Sequence, residues 1–463
     1  MVGPDYERPV TAAEPAGRFV YASEAASDPN AVLSGPWWRD FGDPVTNDLV
    51  ETALANNTDL ASAAAGVLQA EAALGQIHGT RLPQVDYNFG RARTKTSFSL
   101  PQVGRVNFLD TTYDHSIDIS YVTDLFGRLR RSERAAYNDL LSSEANRQAL
   151  EHAVIAQVIG ARIEIATQQR LLEIARENVA NWQQNYEIVD QRYRQGLVPA
   201  VDVYIAKENL AGAQAQVTGL EQGLLLACNS LDVLLGRIPA TTQNLAGSLA
   251  GLPLLEPVPV GLTAQLLDRR PDVRASEYQL AAAVERVGVN IGAMYPDLVL
   301  TGSVGYTGDV FEDLTRDENR VYSAVIGAAL PLFHGGQLRA AVDGAEARVE
   351  QAAAEYAGVV LNAMREVEDA LVRERKIREQ FVQLADRLAQ ALQAERLARE
   401  RYQKGVSNIL LVLETERSRR MAENELVTAQ GGLWQTRVQL MLALGGDWGN
   451  EGENRELTKQ EQL

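Results

Sequence analysis

The sequence predicts an α+β membrane protein built twice on one plan: helix, strand, strand, long helix, turn, helix. Three observations predict it. First, two glycine turns, R-Y-R-Q-G-L-V-P-A-V-D from Arg192 and R-Y-Q-K-G-V-S-N-I-L-L from Arg401, interrupt helical patterns too long for a globular domain. Second, four runs alternate apolar and polar residues with period two, a pair in each half. Third, three landmarks recur at one offset: Gly127 and Gly336 (336 − 127 = 209), Gly196 and Gly405 (405 − 196 = 209), and Leu235 and Leu444 (444 − 235 = 209).

Composition narrows the function classes. The 463 residues carry a net charge of −17, which offers no basic field to draw in nucleic acid. The single cysteine, Cys228, excludes an internal disulfide and sits in an apolar helical run that reads as core. The four histidines are scattered without i, i+4 spacing, so no metal site is expected, and no cofactor motif is present. No phosphate loop, nucleophile elbow or His/Cys cluster points to an enzyme. No apolar window is long enough for a transmembrane helix, but a β-barrel leaves only short alternating strands. No secretory leader is visible, as expected of a processed chain.

Residues 1–46, rich in Pro, Ala, Ser and Glu at their start, read as an extended arm containing V-G-P-D-Y-E-R-P and Trp37-Trp38. The first repeat covers 47–236. Its opening helix runs from Asn47 to His78, with Asn47 or Asp48 as N-cap, and Pro83 ends it. Strands follow at about 84–94 (Val85, Tyr87 and Phe89 on one face) and 113–123 (Ile117, Ile119 and Tyr121), joined by a long polar loop at 94–112. From Gly127 to Gly196 no strong breaker intervenes, a helix of about 100 Å at ~1.5 Å per residue. A return helix of about 40 residues ends at Leu235-Gly236, and 237–261 is a Pro/Gly/Leu linker in the equatorial region.

The second repeat, 262–446, follows the same plan: a helix from Leu262 to Met294, strands at about 297–307 and 320–331 around an acidic loop, a long helix, a tip near Gly405 and a return helix. Residues 447–463 read as a disordered acidic tail.

The lengths imply an assembly. The shorter return and pre-hairpin helices, stacked end to end, match one long helix, giving about four helical columns per chain. Four strands with one apolar face cannot close, and lipid cannot satisfy their open edges. Threefold symmetry would close them into a 12-stranded β-barrel continuous with a 12-helix α-barrel. The competing reading of the helices alone is a soluble, elongated coiled-coil scaffold.

Five stretches carry a family resemblance: V-G-P-D-Y-E-R-P at Val2, L-L-D-R-R-P-D-V-R-A-S-E at Leu266, Y-P-D-L-V-L-T-G-S-V-G at Tyr295, P-L-F-H-G-G-Q-L-R-A at Pro331, and L-A-L-G-G-D-W at Leu442. The chain resembles a TolC-type outer-membrane factor, of the lipoprotein branch that serves resistance-nodulation-division pumps. The resemblance implies a homotrimer in the outer membrane of a Gram-negative bacterium, extending into the periplasm. It implies a passive efflux duct for drugs or other small molecules, docked to a periplasmic adaptor and coupled to an inner-membrane pump. It also implies a lipid anchor on an N-terminal cysteine that this sequence does not contain. A type I protein secretion duct is the alternative within the same fold.

The same resemblance assigns residues. The Gly196 and Gly405 tips dock the adaptor and narrow the tunnel. Asp202 and Tyr402 form an aperture latch by hydrogen bonding across the two hairpins. Glu414 contributes to an acidic pore ring, which would favour cations. The family pattern adds an arginine two positions after the second glycine and a second acid six after it. Ser407 and Leu411 stand there, so Arg401 or Lys404 are the remaining candidates to join the latch.

Overall fold

A computed structural model of the chain describes residues 1–9, 37–100, 104–242, 245, 269–407 and 409–446. These fall into two compact units, each assembled from both halves of the sequence. One comprises Met1–Val10, Ala65–Ala145 and Ala275–Ala357; the other comprises Thr11–Ala64, Asn146–Arg274 and Gly358–Leu463.

The helices repeat to the residue. Helix α3 (Arg128–Arg194) and helix α6 (Gln337–Gln403) each have 67 residues, and α4 (Ala200–Leu234) and α7 (Ile409–Ala443) each have 35. Their starts are offset by 337 − 128 = 209 and 409 − 200 = 209. Each 67-residue helix is about 100 Å long at ~1.5 Å per residue.

Two pre-hairpin helices depart from expectation. The Asn47–His78 segment is two helices, α1 (Pro44–Asn56) and α2 (Thr58–Gly79). The N-cap is Asp43, not Asn47 or Asp48: its Oδ1 accepts from Val45 N at 3.2 Å, and Pro44 occupies N1, where no amide is needed. The break falls at Asn57, whose Oδ1 accepts from Asp59 N and Leu60 N at 2.9 and 3.1 Å and so caps α2. Its amide donates to Leu234 O at 2.9 Å, tying the break to the last turn of α4. In the second half, α5 is Pro271–Gly292, starting at the proline rather than at Leu262, while 262–268 lie outside the described residues. Arg270, which precedes the proline, binds Asp272 and Glu366 at 2.7 Å each and the carbonyl of Ala443 at 2.9 Å.

In the first unit the four strands form one antiparallel sheet in the order β1 (Gln84–Leu100), β2 (Gly104–Thr123), β3 (Asp297–Gly308), β4 (Arg320–Ala329). The expected polar loop at 94–112 is mostly strand. β1 and β2 stay in register from Gln84↔Ser120 to Leu100↔Gly104, with the β-branched Thr94, Thr96, Thr111 and Thr112 suited to strand. The pairing of β2 with β3 stops at Tyr113↔Gly308, so the ribbon runs on alone.

The first nine residues are seated rather than loose. Val2 N donates to Phe126 O at 3.0 Å, Tyr6 OH to Glu277 Oε1 at 3.2 Å, and Arg8 Nη2 to the Tyr356 hydroxyl at 3.1 Å. The buried Arg131 bonds Glu285 and Asp5 at 2.9 Å each and Gly3 O at 3.2 Å. The rest of the N-terminal arm, most of the linker and the C-terminal tail lie outside the described residues.

In the second unit, Trp37 is buried in a 3-10 turn (Trp37–Phe41) and meets Phe41 edge-on at 5.9 Å. Phe41 in turn lies 5.2 Å from Trp434. Asp232 is fully buried and receives Thr241 N, Thr242 N and Thr242 Oγ1 at 3.0, 3.1 and 2.6 Å, which folds the start of the linker onto α4. Burial opposes its ionisation, but these hydrogen bonds and the charge of Arg237 outweigh that, and its pKa is lowered. Cys228 is buried and free, as its apolar run implies.

Candidate functional site: helical tips and sheet faces

The two tips are built alike. Gly196 and Gly405 have φ of +71° and +70°, the left-handed conformation that ends a helix. At each, the glycine amide reaches back to a tyrosine carbonyl and the next amide to an arginine carbonyl. The distances are 2.9 and 3.0 Å for Gly196→Tyr193 and Leu197→Arg192, and 3.0 and 2.9 Å for Gly405→Tyr402 and Val406→Arg401. Nothing lies within 4 Å of a side-chain carbon added at either glycine, so the backbone conformation alone demands the residue.

Tyr402 does bridge the hairpins, with a different partner from the one expected. Its hydroxyl accepts from Arg192 Nη1 at 3.0 Å, linking the end of α3 to the end of α6. Asp202 lies half-buried in the first turn of α4, and its carboxylate has no hydrogen bond or ion pair among the described residues. Neither Arg401 nor Lys404 bonds Tyr402 or Asp202 there. Ser407 Oγ is buried without a hydrogen-bond partner among the described residues, and Leu411 is exposed.

Glu414 is exposed on α7, with 62% of its side chain accessible, and it is not alone. Arg417, one turn on, grips it with Nη2 and Nε at 2.8 and 3.2 Å. That hydrogen bond and positive charge hold the Glu414 carboxyl below its ordinary pKa. Further along, an ionic rail joins α6 to α7. Arg399 reaches Glu395 at 2.8 Å and Glu416 at 2.7 Å, and Arg419 reaches Glu395 at 2.5 Å and Glu423 at 2.7 Å. Arg420 crosses to α3, donating to Asn178 Oδ1 at 2.5 Å and lying 5.0 Å over the Trp182 ring.

The sheet register gathers the alternating residues onto two faces. Val85, Tyr87 and Phe89 stand beside Ile119, Ile117 and His115, which stand beside Gly302, Val304 and Tyr306; Tyr322 and Ile326 complete the apolar face on β4. Tyr87 is 66% exposed, Ile326 75% and Tyr322 83%. On the other face Asp118 accepts from Asn88 at 2.6 Å and Ser116 at 2.9 Å. A wet, hydrogen-bonded face opposite a bare apolar one is the signature of a strand set between lipid and an aqueous lumen. Among the described residues no helix is long and apolar enough to cross a membrane.

The family model described as outer membrane efflux protein matches residues 49–237 and 262–446. The chain belongs to the outer membrane efflux protein family. It is 30% identical over 458 residues to the toluene efflux pump outer membrane protein TtgF of Pseudomonas putida, covering 96% of this chain and 94% of that one. Among solved structures it resembles the outer-membrane channel OprN (29% identity, TM-score 0.88, 96% of this chain and 99% of the other). It also resembles the open state of the Neisseria gonorrhoeae MtrE outer membrane channel (27% identity, TM-score 0.85, 97% and 98%). The protein is therefore an outer-membrane efflux channel of the TolC type with a periplasmic extension, and not an enzyme.

Within this efflux protein, sequence reasoning missed Arg192, Arg417 and the rail from Glu395 to Glu423. Two of these had a signal. Arg192-Tyr193 and Arg401-Tyr402 are the same dipeptide at the 209 offset, and Glu414 and Arg417 have the i, i+3 spacing of a helical ion pair. The rail had none, because its members fall among many similar Glu and Arg residues of α6 and α7.

Proposed function

We propose that this chain is the exit duct of a tripartite efflux system, with its helical tips as a gated periplasmic aperture. The observation that carries the reading is a four-stranded sheet with an exposed apolar face and, among the described residues, two unpaired edges, β1 and β4, in one chain with two long helical hairpins. Unpaired strand edges cost several kcal/mol per group in lipid, and three copies close them into twelve strands. A homotrimer follows, with six tips converging on one opening.

A periplasmic adaptor docking on the Gly196 and Gly405 tips, and an inner-membrane resistance-nodulation-division pump behind it, would supply the drive. The duct itself conducts passively. Toluene export by a system containing TtgF supports small apolar or amphipathic molecules as the class carried. A lipid on an N-terminal cysteine beyond this sequence would add to anchoring, and the seating of residues 1–9 beside the strand exits supports that placement.

At the aperture we assign Tyr402, with Arg192, to the latch within one chain. Asp202, whose carboxylate has no partner among the described residues, is the group available to a neighbouring copy. Glu414 with Arg417 lines the constriction. MtrE, known in an open state, supports a tip that has more than one position. Single-channel recording in planar bilayers tests this reading: small conductance steps from the wild type and larger ones from Arg192→Ala with Tyr402→Phe are expected, and no channel activity from folded protein would overturn it.

A further inference from the structure

The β1–β2 ribbon carries a basic face that neither the duct nor its aperture uses. Odd-numbered residues of β1 and β2 share the apolar face, since Phe89 pairs with His115 and Arg91 with Tyr113. Following that face away from the helices, the apolar rows give way to an aromatic row of Phe89, His115 and Tyr306, with His115 stacked 5.3 Å from Tyr306. Cations take over at and beyond that row. Arg320 pairs with Tyr306, and Arg91, Arg93, Lys95 and Arg105 follow along the ribbon.

The segregation by sign is complete on this stretch. Asp110 and Asp114 fall on the opposite face, at positions paired with Thr94 and Gly90, and no acid lies on the cationic one. All five cations are exposed, in a chain whose net charge is −17. Arg91 lies 5.5 Å over the Tyr113 ring, and none of the five forms an ion pair among the described residues. The acidic β3–β4 loop forms no ion pair with them among the described residues, and two of its five acids, Asp313 and Glu318, are engaged by Arg316 at 3.2 and 3.9 Å.

Each strand joins its helix at the far end of the sheet, so the ribbon end is the extracellular one in a channel whose helices are periplasmic. A row of unpaired cations above an aromatic girdle, facing lipid, fits phosphate at headgroup level. We propose that Arg91, Arg93, Lys95, Arg105 and Arg320 bind the phosphate-bearing glycolipid of the outer leaflet. The inference rests on the membrane placement of the sheet proposed above.

The test uses the intact channel in phosphatidylcholine nanodiscs doped with bisphosphorylated lipid A or with the same lipid stripped of its phosphates. Lipid retained on the purified trimer is measured by native mass spectrometry. Wild type should retain the phosphorylated form, and should lose it in high salt because exposed charges are screened. Replacing all five cations with serine should lower retention about tenfold or more, and a version with lysine at every arginine should hold it, since each cation near an anionic surface contributes through its charge. Equal retention by the serine variant, or equal binding of the phosphate-free lipid, would overturn the proposal. So would full displacement by inorganic phosphate, which would mark a free-anion site. A protein that forms no conducting trimer would overturn the duct reading instead; a conducting trimer without lipid discrimination overturns only this inference.

Discussion

A glutamate held by an arginine one turn away does not act as a bare negative charge. Glu414 and Arg417 together are neutral, so three pairs in a ring would discriminate weakly until one partner is removed. Glu414→Ala should leave three unpaired guanidinium groups and turn the pore toward anions, and Arg417→Ala should strengthen its preference for cations. Reversal potentials in a salt gradient measure both, and shifts of the same sign would sink the assignment. The pH dependence follows from the lowered pKa of Glu414. Its charge persists through the ordinary glutamate range and is lost only below it, and anion preference should then rise. At the latch, Tyr402→Phe deletes the acceptor of the Arg192 bond, and Arg192→Ala should open the tip to a similar extent. If the two changes together raise conductance no more than either alone, they act through that one bond.

Helix ends are where the elements were least legible in the sequence. The 67-residue helices, their 209-residue recurrence and the faces of the strands were readable, because periodicity and glycine spacing are properties of long runs. The break at Asn57 was not. Asn57 carries a local N-cap signal, its Oδ1 accepting from Asp59 N and Leu60 N, but the Ala- and Leu-rich pattern runs through it, and the second anchor of the break is Leu234 O, 177 positions away. Likewise Asp202 and Tyr402 were legible as tip residues by distance from the glycines, but which side chain meets which depends on how the hairpins lie together.

Asn57→Ala should cost about 1 kcal/mol of helix stability through the lost cap. Gly405→Ala should cost about 1–2 kcal/mol through its left-handed conformation alone. Thermal melts of the helical circular dichroism read both. Asp232 gives a pH signature. Its pKa is lowered in the folded protein, so it stabilises above the ordinary carboxylate range, and that contribution is lost as pH falls through the folded value. Asp232→Asn should be destabilised at neutral pH and converge on wild type in acid; a constant gap across pH would refute the role.

At the scale of the whole molecule, one chain holds half-solutions that the proposed trimer would complete. Among the described residues its sheet ends in two bare edges, and its apolar strand face is exposed. Closure should place β1 of one copy against β4 of the next, antiparallel, with Asn88 and Ser323 on the same inward face. The most direct measurement is disulfide cross-linking in outer membranes. Asn88→Cys is combined in turn with Val321→Cys, Ser323→Cys and Val325→Cys, and the products are run without reductant after boiling. The duct reading predicts that at least one register yields a covalent trimer ladder that reductant collapses to a single chain. Monomer at every register, from protein that is folded and in the membrane, would contradict it.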